Sequence, residues 1–76
     1  MADKVTIELT KDEALVLFDF LVRFNQKEHN DIFEDQAEQK ALWIVEGQLE
    51  KTLAEPFYPN YTDIIRQSRD NIRDEQ

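Results

Sequence analysis

The stretch from Ala14 to Phe24 constrains this chain more than any other. If it is helical, at about 100° per residue, the strongly polar positions Asp12, Asp19 and Arg23 fall in one narrow sector. Leu15, Val16, Leu17, Phe18, Phe20, Leu21, Val22 and Phe24 spread over most of the remaining circumference. An ordinary surface helix carries one apolar stripe; this one carries roughly twice that and must be covered on two sides. Its start is marked by Thr10-Lys11-Asp12-Glu13, a capping box. The Thr10 hydroxyl can accept from the Glu13 amide while the Glu13 carboxylate reaches back to the Thr10 amide. A helix over 11–26 follows.

What can cover it is limited by length. Seventy-six residues make one domain (1–76), which buries only about 60 % of its unfolded surface. Upstream, Val5, Ile7 and Leu9 alternate with Thr6 and Glu8, a period of two with β-branched residues that reads as a half-buried strand over 5–9. A lone strand leaves backbone donors and acceptors unpaired. The cheapest partner is a second copy about a two-fold axis, giving a homodimer whose candidate interface is Val5, Ile7, Leu9, Phe20 and Phe24. The alternative is an extended arm laid over the chain's own helices.

Downstream, a second helix is expected over 34–54, with Phe33, Ala37, Ala41, Ile44, Val45, Leu49 and Leu53 on one apolar side. Glu34, Asp35 and Glu38 crowd its first turns, where the positive end of the helix dipole favours carboxylates. Pro56 ends it. Asn60 can cap a third helix over 61–73, whose Tyr61, Ile64, Ile65, Ser68 and Ile72 form a single stripe. With one glycine in the chain, helices are favoured over tight hairpins. The expected fold class is therefore mainly α, one short N-terminal β-strand and three helices, without repeats or linkers. No basic segment followed by an apolar one opens the chain, and the longest apolar runs, 14–18 and 41–45, are too short to span a bilayer. A cytoplasmic protein without a membrane partner is the expectation.

Seventeen acids against nine Lys and Arg give a net charge of −8, which opposes binding to nucleic acid. Strand–helix–helix in a dimer is the plan of ribbon-helix-helix regulators, whose ribbon would present Lys4, Thr6 and Glu8 to bases. The second helix would then have to receive phosphate at its start, where Glu34, Asp35 and Glu38 repel it. DNA binding remains the alternative function. No cysteine is present, so thiolate catalysis and thiolate zinc sites are excluded. Residues 28–38 lack the spacing and glycine of a calcium loop, and the Glu-x-x-His of di-iron bundles does not occur. No metal or other cofactor is expected, although a small-ligand or metal-binding domain stays open as a further alternative. Ser68 lies on an apolar stripe far along the chain from His29, the only histidine, so an enzyme is not expected.

From Glu28 to Glu55, eight acids face only Lys40 and Lys51, a local balance of −6. Such a surface steers cationic partners. The candidate interaction surface is Glu34, Asp35, Glu38, Trp43, Glu46 and Glu50. Trp43 lies off the main apolar stripe, either as an aromatic contact or folded over Gly47. Phe57 and Tyr61 are expected to staple the turn to the core.

Three stretches carry a resemblance: Leu9 to Phe18, then Phe33 to Glu38 with Ala41-Leu42-Trp43, and Glu55-Pro56-Phe57. They resemble a family of short, uncharacterised (hypothetical) bacterial proteins, and the resemblance brings no activity or site with it. Small acidic proteins of this kind are sometimes immunity or antitoxin partners, or are encoded on mobile gene cassettes. The expected function is a non-enzymatic interaction module for a basic macromolecular partner.

Overall fold

A computed structural model describes residues 3–74. It contains α1 (Lys11–Asn25), α2 (Gln36–Thr52), a 3-10 turn (Glu55–Phe57) and α3 (Tyr61–Arg73). The capping box is formed: the Glu13 amide donates to Thr10 Oγ1 at 3.1 Å and the Thr10 amide to Glu13 Oε1 at 2.9 Å. Thr10→Ala should therefore cost about 1 kcal/mol and lower the melting midpoint by roughly 4–8 °C. An unchanged midpoint in a thermal melt would show that the box contributes nothing in solution.

α1 packs against both other helices, so two sides of its apolar girth are covered within one chain. The core is small: Leu15, Phe18, Leu53 and Ile65, with Ala14, Val22, Leu49, Tyr61 and Ile64 packed around it. Leu53 follows α2 as its C-cap residue. The Lys11 ammonium meets Glu55 Oε2 at 2.9 Å, tying the 3-10 turn to the start of α1 and holding the Glu55 carboxyl below its ordinary range.

Four expectations are corrected. Among the described residues there is no β-strand; residues 3–10 carry no regular secondary structure. Alternation favours an extended backbone, but a strand also needs a hydrogen-bonded neighbour, and among the described residues every regular element is a helix. The strand on which the ribbon of the dimer and of DNA reading depends is therefore not formed within the chain. Instead Val5 to Leu9 run as an arm along a groove with Ala14 and Leu17 of α1 and Val45, Leu49 and Thr52 of α2. Second, α2 starts at Gln36, because Asp35 is its N-cap, accepting from the Ala37 amide at 3.4 Å. No residue of α2 is buried, and its apolar side is divided. Leu42 and Leu49 are half-buried, whereas Ala41, Ile44 and Val45 face solvent. Third, Phe57 is 73 % exposed rather than stapled to the core, since the 3-10 turn spends its one turn placing Glu55 beside Lys11. Fourth, Asn60 occupies the N-cap position of α3 without a side-chain capping bond.

Candidate functional site

The six residues of the candidate surface separate into two groups. Glu34, Asp35 and Glu38 sit at the start of α2, and two of them serve the helix itself. Asp35 caps it, and Glu38 Oε1 accepts from the Glu34 amide at 2.8 Å. Carboxylates on a helix N-terminus are a normal structural arrangement, and they occupy the donors that a phosphate would use. Among the described residues no group of three or more His, Asp or Glu side chains is placed to hold a metal ion.

Trp43, Glu46 and Glu50 do come together. At i, i+3 and i+7 they share one flank of α2. With Val22, Asn25 and Gln26 of α1 they line an open concavity of about 380 Å³. Gly47 lies in its floor; a Cβ built there meets nothing within 4 Å, so the Trp43 ring is not pressed onto the glycine and the space beside it is open. Trp43 is 48 % exposed. Asn25 Nδ2 donates to Glu46 Oε1 at 2.7 Å, fixing that carboxylate across the α1–α2 seam. The other end of the amide, Asn25 Oδ1, is buried without a hydrogen-bond partner. Sequence reasoning missed Asn25: it ends α1, and nothing local marks which α2 residue it meets.

The charge around this concavity is not neutralised. The ion pairs among the described residues join Lys11 to Glu55, Asp19 to Arg23 and Arg69, Asp63 to Arg66 and Asp70 to Arg73. None involves an acid between Glu28 and Glu50. α2 carries Lys40 and Lys51, but neither is within ion-pair distance of its carboxylates among the described residues.

A second polar system was also missed. The sector of Asp12, Asp19 and Arg23 packs toward α3 instead of open solvent. Asp12 accepts from the buried Ser68 hydroxyl at 2.9 Å and from Asn71 Nδ2 at 3.0 Å. Asp19 accepts from Arg69 at 2.8 Å, Arg23 at 3.2 Å and the Tyr61 hydroxyl at 3.4 Å. Burial first, then the Asp19 charge and hydrogen bond, push the Tyr61 hydroxyl up to about 12. These contacts set the α1–α3 register, with the start of α1 against the end of α3.

Of the candidate dimer residues, Val5, Ile7, Leu9 and Phe20 are exposed. Phe24 is half-buried in an aromatic cluster. Its ring stacks on His29 at 3.9 Å between centroids, on Phe20 at 5.6 Å, and meets the edge of Phe33 at 6.2 Å. His29 is therefore not a free loop residue: its Nε2 donates to the Phe24 carbonyl at 2.9 Å, closing the α1–α2 connection. Among the described residues no helix is long and apolar enough to cross a membrane.

No protein-family model matches the chain, and no curated protein or solved structure matches it.

Proposed function

We propose that the chain is a non-enzymatic interaction module of the cytoplasm whose Trp43–Glu46–Glu50 concavity receives a Lys or Arg side chain of a basic protein partner. The observation that supports this best is the convergence itself. A half-exposed indole and two carboxylates without a cation line one concavity. A guanidinium or ammonium suits both, by stacking on the indole and pairing with carboxylate. Charge at such a rim contributes mainly association rate and specificity. An immunity or antitoxin role against a basic toxin would use a surface of this kind.

Trp43 is the only tryptophan, so its emission reports on the concavity without a label. Titration with a hexa-arginine peptide at low salt should give a saturable emission change that weakens as salt rises. Glu46→Gln with Glu50→Gln should weaken binding about tenfold, the equivalent of about 1.4 kcal/mol. An unchanged emission, or equal affinity in the double variant, would remove the basis for this function.

A further inference from the structure

We propose that the apolar face formed by Leu17 and Phe20 of α1, Ile44 and Val45 of α2 and the arm Val5–Leu9 is the seat of a second copy of this chain. The first ground is area. A compact monomer of 9.1 kDa exposes about 4,900 Å², whereas this chain exposes 6384 Å², an excess of about 1,500 Å². Its radius of gyration is 14.0 Å against about 11.4 Å for a compact domain of this length. A standard interface takes about 800 Å² from each partner, so the excess suffices for one.

The second ground is where that surface lies. Ile7 is 71 % exposed, Ile44 59 % and Phe20 47 %. Leu17 and Phe20 are one turn apart on α1; Val45 and Leu49, one turn apart, form the α2 wall of the groove, and Ile44 stands exposed at its outer rim, next to Val45 in sequence. The groove beside the arm, about 790 Å³, is lined by Val5, Ile7, Leu9, Ala14, Leu17 and Val45 among others. An apolar ridge next to an apolar groove on the same face is self-complementary, because a two-fold axis places the ridge of each copy in the groove of the other.

The third ground is charge. Two chains of −8 can approach only where carboxylates are sparse, and in the groove lining Glu8 is the only acid. Glu46 and Glu50 lie on the opposite flank of α2, so a dimer leaves both Trp43 concavities open. Packing is through side chains and does not require the arms to form a ladder. It is independent of the function proposed for Trp43.

Sedimentation equilibrium over a wide concentration range tests it. The wild type should approach 18.2 kDa, twice the chain mass of 9.1 kDa. Ile44→Glu should raise the dissociation constant by at least about 100-fold, since each dimer would bury two charges. Ile44→Ser should weaken it in the same direction without adding charge. Ile44 is solvent-facing in the monomer, so the helical circular dichroism of both variants should persist; Trp43→Ala, on the other flank, should leave the mass at two chains. A wild type of 9.1 kDa throughout, or of more than two chains, overturns the proposal. So does a folded Ile44→Glu or Ile44→Ser protein that dimerises as the wild type does.

Discussion

Leu15→Ala is expected to be the most damaging conservative truncation in the chain. Leu15 is 2 % exposed and sits where α1 meets Leu53 and Ile65, so all three helical layers lose contacts at once. Removing three buried carbons forfeits their transfer free energy and leaves a cavity, about 2–5 kcal/mol in all. Total stability for a chain of this length is about 4–11 kcal/mol, so the substitution removes a large share of it. At roughly 4–8 °C per kcal/mol for a domain this small, the melting midpoint should fall by at least about 10 °C. Val45→Ala is the comparison. Val45 is 41 % exposed, and in the monomer its loss should move the midpoint by only a few degrees. A melt in which the two variants behave alike would show that the folded core is not centred on Leu15.

The same residues show how much of the fold could be read beforehand. The capping box and the over-apolar α1 are local features, written in four and eleven consecutive residues, and both reappear in the structure. The stripe of α3 is equally local: Ile65 and Ser68 are its buried members. Trp43, Glu46 and Glu50 could be grouped by spacing alone, because i, i+3 and i+7 return to one flank of any helix. Glu38 and Glu46 could not belong to one patch by the same rule, since eight residues turn the helix by about 80° and advance it by about 12 Å. What stayed hidden was pairwise and long-range. Val5 to Leu9 have the alternation of a strand, but no residue within the segment says whether a neighbouring strand exists. Asp12 and Asp19 have the look of a solvated edge until Ser68, Asn71, Tyr61 and Arg69 are brought to them across some forty to sixty residues of chain. Asn25, likewise, is an ordinary helix-terminal residue until Glu46 arrives beside it.

Asp19→Asn should have the second-largest effect, and it should be dependent on pH in a defined direction. The substitution keeps the shape of the side chain and removes the charge that Arg23, Arg69 and the Tyr61 hydroxyl share. The guanidiniums are largely exposed, with side-chain exposures of 61 % and 46 %, so each pair is screened and contributes at most about 1 kcal/mol. Adding the partly buried tyrosine bond, the loss near neutral pH should be about 1–3 kcal/mol. Tyr61 then gives the alkaline signature. Its folded pKa of about 12 lies above the ordinary 10.0, so the unfolded chain releases the proton first as pH rises. The stability that the protonated hydroxyl contributes is therefore complete below pH 10 and is lost progressively between pH 10 and about 12. In Asp19→Asn the folded pKa should fall but stay above the unfolded one, because burial is the larger cause and remains. Tyr61→Phe should remove this residue's part of the alkaline loss entirely. Tyrosinate absorbance followed alongside the unfolding midpoint separates the three proteins. A Tyr61 that ionises at its ordinary pKa in the wild type, or at the same pH in Asp19→Asn, would mean that the carboxylate does not face the hydroxyl and that the α1–α3 register is set by Asp12 and Ser68 alone.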